Sequence, residues 1–220
     1  MKQSEIIDFL KDLVIILAIV FFIRTFVGMP FQISGQSMAS SYYNKEFILV
    51  DRLSYFFGGP DRWDVVVFTP WVDKDKKYFL KRIIGIPGDS IKIESGIIFV
   101  KKADSEIFIQ LNETYLNLEN NWFTFSENKS VSREYRLGED QFFVMGDNRN
   151  HSTDSRHCFY TCSIEGSSNF ASSGNITGKV FLDLGYFNFR NFSFIDSELG
   201  LNTTPKFFSS EATHTYTELN

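Results

Sequence analysis

The sequence predicts a mainly β protein with one N-terminal helix, on three observations. From Phe31 onward, apolar residues come in short runs of strand length, punctuated by Gly, Pro, Asn and Asp. Phenylalanine, a residue suited to pleated, half-buried surfaces, occurs 25 times. Ahead of these runs lies one stretch of different character, Leu13 to Ile23, apolar without interruption.

That run belongs to an N-terminal segment, residues 1–30, whose first twelve residues are mixed in charge. Its clean apolar length is short of the ~20 residues that cross a bilayer. It becomes sufficient if Phe9 and Leu10 are counted, or if Arg24 extends its charged head to the interface. The segment is therefore expected to be a transmembrane helix, with a buried core helix as the alternative. No Ala-x-Ala processing site follows it, so it is expected to remain attached. Lys2 and Lys11 are offset by Glu5, Asp8 and Asp12, which leaves orientation weakly specified.

A β-rich domain is expected over 31–187. Glu46 to Val50, Trp63 to Thr69 and Tyr78 to Gly85 read as strands, the second bounded by Gly58-Gly59-Pro60 and Pro70. Ser90 to Ile93 and Ile97 to Lys101 read as a hairpin turning at Glu94-Ser95-Gly96. Residues 102–137 are polar and irregular, and read as a small inserted subdomain. Strand character returns at Asp140 to Met145 and at Gly178 to Leu184. From 188 to 220 the chain is polar and Ser/Thr-rich, the composition of a flexible tail.

Composition excludes several functions. A net charge of −5 argues against nucleic acid as a partner. The three histidines and two cysteines fall in no metal-ligand spacing, and no phosphate-binding glycine loop is present. No metal and no cofactor is expected.

Three stretches carry chemistry. Ile33-Ser34-Gly35-Gln36-Ser37-Met38 places Ser37 after a glycine-bearing turn, clear of the chain as a nucleophile must be. Serine needs a base. His151 and His157 are candidates, as is Lys81 if its amine is neutral, which burial in apolar surroundings achieves. Strand alternation puts Phe79, Lys81 and Ile83 on one face, leaving Lys81 flanked by apolar side chains. The third stretch, Gly146-Asp147-Asn148-Arg149, continues through Ser152, Asp154, Ser155 and Arg156.

In this order, with Lys81-Arg82-Ile83-Ile84-Gly85-Ile86-Pro87-Gly88-Asp89 as the second and Arg62-Trp63-Asp64-Val65-Val66-Val67-Phe68 between the first two, these stretches resemble bacterial type I signal peptidase, a membrane-anchored Ser/Lys protease. The resemblance covers roughly residues 10–101 and 138–186. It implies an antiparallel β catalytic domain, with Ser37 as nucleophile and Lys81, within Tyr78 to Asp89, as general base. It implies that Ser152 hydrogen-bonds and orients the Lys81 amine. Asp147 with Arg82, and Asp154 with Arg156, are implied as supporting ion pairs. The implied substrates are exported preproteins with small residues at −1 and −3, cleaved at the extracytoplasmic face of the cell membrane by a single-pass protein. Phe31, Ile33 and Ile84 are candidate pocket residues.

The sequence departs from the family pattern. Ser40-Ser41 stands where a proline and threonine are usual, and Lys45-Glu46 where Gly-Asp is common. Gly35 occupies the place of a side-chain oxyanion donor found in some members. The Ser37 backbone N–H is one expected donor, with Ser34 a candidate for the second. On an outward-facing body, Cys158 and Cys162 are expected to pair as a disulfide, with two free thiols as the alternative. Competing readings are a Ser/Lys hydrolase of the self-cleaving repressor type and a non-catalytic, membrane-tethered β binding module.

Overall fold

The structure, a computed structural model, describes residues 3–22, 28–39, 41–70, 77–125, 132–160, 162–188 and 193–194. Helix α1 (Gln3–Phe22) opens the chain. It is followed by β1 (Met29–Gln32), β2 (Phe47–Asp51), a short helix α2 (Ser54–Phe57), β3 (Val65–Phe68) and β4 (Phe79–Gly85). Next come β5 (Ser90–Glu94), β6 (Ile97–Lys101), β7 (Ile109–Gln110), β8 (Arg133–Arg136) and β9 (Phe143–Met145). A long strand β10 (Ile176–Gly185) and a small hairpin, β11 (Phe187–Asn188) with β12 (Ser193–Phe194), complete the order.

The antiparallel β class is as expected. Six strands form one sheet in the order β1-β2-β10-β3-β4-β9, and four form another, β7-β6-β5-β8. Among the described residues every strand pairing is antiparallel, so neighbours can be hairpins or long returns without crossover helices. Strand β10 returns from far along the chain to lie between β2 and β3, which ties the start of the domain to its end.

Strand limits differ from the sequence expectation where the backbone turns left-handed. Trp63 has φ 76° and so stands outside β3, and Asp140 at φ 54° delays β9 to Phe143. Strands β7 and β8 flank β6 and β5, and Leu111, Tyr115, Leu116, Tyr135 and Leu137 share one core with Ile91, Ile93, Ile98 and Val100.

Strand β4 positions the site. It lies between β3 and β9, and five of its seven residues are buried. One face sends Phe79 and Ile83 into a cluster with Val66, Phe68, Val144 and Phe159. The opposite face sends Leu80 and Ile84 into the two other clusters. The alternation read from the sequence is therefore the observed one, with Lys81 on the Phe79 face.

Helix α1 is not a core helix: Leu13, Val14, Ile15, Ile16, Leu17, Val20 and Phe21 are all exposed. Among the described residues no helix is long and apolar enough to cross a membrane. The reason is local, because Glu5, Asp8, Lys11 and Asp12 occupy its first half and leave a short apolar remainder. Ile23 and Arg24, on which the expected span depended, lie outside the described residues, as do residues 189–192 and 195–220 of the expected tail.

Candidate active site

Ser37 sits in the connection from β1 to β2. The base of that connection is closed by two backbone bonds, Ile33 N to Glu46 O at 2.8 Å and Lys45 N to Ile33 O at 2.8 Å. Gly35, at φ 112°, makes the bend and donates its N–H to Asn44 Oδ1 at 3.0 Å. Beyond Ser37 the chain coils tightly, with Ala39 N bonded to Gln36 O at 3.0 Å and Tyr42 N to Met38 O at 2.9 Å, and Met38 is buried. These bonds hold the turn that lacks proline.

Lys81 and Ser37 meet across 44 residues of sequence. Lys81 Nζ lies 2.7 Å from Ser37 Oγ and 2.9 Å from the Leu80 carbonyl oxygen. Lys81 is only 2% exposed. Burial disfavours the ammonium form and brings its pKa down to about 8. The nearby carboxylates of Asp154 and Asp147 pull the other way, and Arg156 assists the lowering.

Both expected ion pairs are formed, each bidentate. Arg82 Nε and Nη2 donate to Asp147 at 2.9 and 2.7 Å, and Arg82 Nη1 donates to Trp63 O at 3.1 Å. Arg156 Nε and Nη2 each donate to Asp154 at 2.8 Å. Burial alone would raise the Asp154 pKa. Arg156, Ser152 and the Gly146 N–H outweigh it and hold the carboxyl at about 2.

The acceptors of the Lys81 amine are Ser37 and Leu80, and the buried Ser152 Oγ makes no hydrogen bond to it. Ser152 instead sits beside the Asp154 carboxylate that it helps keep ionised. Its Oγ also crowds Gly146: a β-carbon there would collide with Ser152 Oγ and with the Ser37 carbonyl oxygen. Glycine is what lets the two loops touch. Asn148 fastens that contact, donating its N–H to Ser37 O and its Nδ2 to Gln36 O, both at 3.0 Å.

Sequence reasoning assigned no role to Arg149, which is buried between the loop and residues 113–124. It donates to Glu113 Oε2 at 2.9 Å, Thr124 Oγ1 at 2.6 Å and Tyr115 Oη at 2.9 Å, with a second, shorter contact to Glu113 Oε1. Arg156 Nη2 in turn donates to Arg149 O at 2.8 Å. Arg149 stood in the quoted motif. Its partner Glu113 lies in a stretch with no strand period, so nothing in the sequence marked the pairing.

A cleft of about 490 Å³ opens over the Ser37–Lys81 pair. Phe31, Ile33, Met38, Ile48, Val67 and Phe79 supply its apolar lining. Ile84 lies elsewhere, fully buried in the core shared with the second sheet. Ser34 is exposed at the cleft wall. His151 lines the mouth without bonding Ser37, and His157 Nδ1 is 3.8 Å from Asp154. Cys158 and Cys162 are joined by a disulfide, their Cα atoms 5.2 Å apart. Among the described residues no group of three or more His, Cys, Asp or Glu could hold a metal ion.

A model of the signal peptidase, peptidase S26, family matches residues 6–184. Signal peptidase I P of Bacillus subtilis subsp. natto is 34% identical over 159 residues, covering 71% of this chain and 81% of its own. Signal peptidase I S of Bacillus subtilis (strain 168) is 30% identical over 174 residues, covering 77% and 90% respectively. A solved signal peptidase I from Enterococcus faecalis V583 covers 55% of this chain and 95% of its own at 23% identity, with a TM-score of 0.38. The chain belongs to the signal peptidase S26 family.

Two predictions follow from the burial of charge. Glu113→Ala strands the Arg149 guanidinium, and thermal or denaturant unfolding is expected to show a loss of roughly 3–5 kcal/mol. A loss under about 0.5 kcal/mol, the scale of an ordinary surface substitution, would show that the clamp carries no weight. Lys81→Met keeps the side chain's shape and removes the buried amine. Between about pH 8 and the unfolded value near 10.5, the unfolded wild type binds more protons than the folded one, so its stability rises with pH. The methionine variant is expected to be more stable than wild type below pH 8, by up to roughly 3 kcal/mol, with the gap closing as pH climbs through that window. A gap independent of pH would contradict the depressed pKa.

Proposed function

We propose that this chain is a type I signal peptidase that cleaves exported preproteins after small residues at −3 and −1, using Ser37 as nucleophile and Lys81 as general base. One observation carries the mechanism: the 2.7 Å contact between a buried amine and the Ser37 hydroxyl. A neutral amine has one lone pair and two N–H bonds. The Leu80 carbonyl takes one N–H, which leaves the lone pair free to face Ser37. Lys81 accepts the serine proton as Oγ attacks the scissile carbonyl, then returns it to the leaving amine. The acyl-enzyme is hydrolysed by a water that Lys81 deprotonates in the same manner. The Ser37 backbone N–H is one donor to the oxyanion, and Ser34 is a second candidate. The apolar cleft wall of Phe31, Ile33 and Phe79 suits a short, extended apolar segment with small side chains at the reacting end.

The tether to the membrane is part of the same proposal. Apolar side chains are exposed along α1 with no core to cover them, and a bilayer is the surface that would. The body is assigned to the extracytoplasmic face on a single-pass anchor. The Cys158–Cys162 disulfide supports that side, being a bond of oxidising compartments. Fractionation with protease shaving tests it. The protein is expected in the membrane fraction, with its body cleaved from outside intact cells. Recovery in the soluble fraction without detergent, or a protected body, contradicts the tether.

Turnover is expected to rise with pH as Lys81 loses its proton near about pH 8, and to fall about tenfold per unit below that value. Lys81→Ala and Lys81→Arg are both expected to be inactive on a detergent-solubilised preprotein, because guanidinium stays charged. His151→Ala and His157→Ala are expected to keep most activity. An inactive His151→Ala beside an active Lys81→Ala would replace this scheme with a Ser-His one.

A further inference from the structure

The Phe79 ring stands beside the Lys81 amine, and a second ring backs the first. Phe79 lies two residues before Lys81 on the same face of β4, and Lys81 Nζ is 5.4 Å from its ring centroid. Phe79 lines the cleft and is only partly buried. Behind it stand Phe68 at 6.0 Å and Phe159 at 6.1 Å between centroids, themselves 5.3 Å apart.

Phe159 reaches that position through an unusual backbone. Cys158 has φ 44° and Phe159 φ 53°, two successive non-glycine residues in left-handed conformation. Such a pair persists only where its surroundings impose it. The disulfide from Cys158 to Cys162 closes the chain around Phe159, and the Phe159 N–H donates to Asp154 O at 3.3 Å.

We propose that the Cys158–Cys162 disulfide is a clamp that seats Phe159 behind Phe79, keeps water from the Lys81 amine, and makes turnover responsive to thiol reduction. Phe159 is thus a positioning residue, acting on the base through Phe79. The inference rests on the reading of Lys81 as base. Other groups act on the same amine: Asp154 and Arg156 from the segment that carries Phe159, and Asp147 from the loop after β9. His157 stands near Asp154 and His151 at the cleft mouth. The test must therefore separate the ring from these charges.

The experiment is kcat/KM against pH on a preprotein, using the full-length protein in detergent, before and after dithiothreitol. The reagent supplies two electrons and two protons, closes to its own cyclic disulfide, and leaves Cys158 and Cys162 as thiols. Reduction is expected to move the acid limb upward by about one pH unit, a loss of about tenfold at pH 7, while the alkaline plateau changes less than about twofold. Phe159→Ala, with the disulfide intact, is expected to show the same shift, and reduction of that variant no further one. Phe159→Leu, which restores apolar bulk, is expected to return the limb most of the way. An unmoved limb with a parallel loss at every pH overturns the clamp, as does a second full shift on reducing Phe159→Ala. If circular dichroism shows that the reduced protein has unfolded, the two Phe159 variants decide. A missing acid limb in the untreated enzyme, or an active Lys81→Ala, overturns the reading of Lys81 itself. A limb near pH 8 that ignores both reduction and Phe159 overturns only the clamp.

Discussion

A lysine amine with 2% exposure and two hydrogen-bond partners is an expensive thing to place inside a protein, and much of this fold is arranged around that one placement. Two carboxylates, Asp154 and Asp147, lie close enough to favour the charged form of Lys81. Each is engaged instead by a bidentate arginine, Arg156 and Arg82. These ion pairs are therefore more than braces for a loop. They spend the negative charge that would otherwise raise the lysine's pKa, and they let desolvation win.

The same constraint explains why the two loops approach so closely. Shielding an amine at the end of a cleft requires backbone and side chain to be packed without water between them. Gly146 has no room for a β-carbon, and Asn148 ties its own loop to Gln36 and Ser37 by two hydrogen bonds. The 113–124 stretch then holds the far side of the loop through Arg149. A polar stretch without strand period thus serves the site by supplying Glu113, Tyr115 and Thr124 as one receptacle for a buried guanidinium.

The parts of the fold visible in the sequence were those with a local signal. Valine-rich 65–68 and the alternation along 79–85 announced strands, and alternation also placed Lys81 on the apolar face. The juxtaposition of Ser37 with Lys81 came from resemblance, since no period or spacing links positions 44 residues apart. What stayed hidden depended on partners distant in sequence. Glu113 meets Arg149 across 36 residues, and Ser152 lies by Asp154. Ile84, expected in the pocket, packs instead in the core shared with the second sheet, through contacts with residues distant in sequence. The charges in the first half of α1 were legible from the start, and they are what keeps the described helix from bilayer-spanning length.

The central claim is that Lys81 is neutral in the working enzyme because it is desolvated. The most direct measurement is a pH titration of lysine side chains by nuclear magnetic resonance, with the Lys81 signal assigned by its disappearance in Lys81→Met. The account predicts one lysine resonance titrating near pH 8, set apart from the rest, which titrate near the ordinary value of about 10.4. A Lys81 resonance that titrates with the other lysines would contradict it.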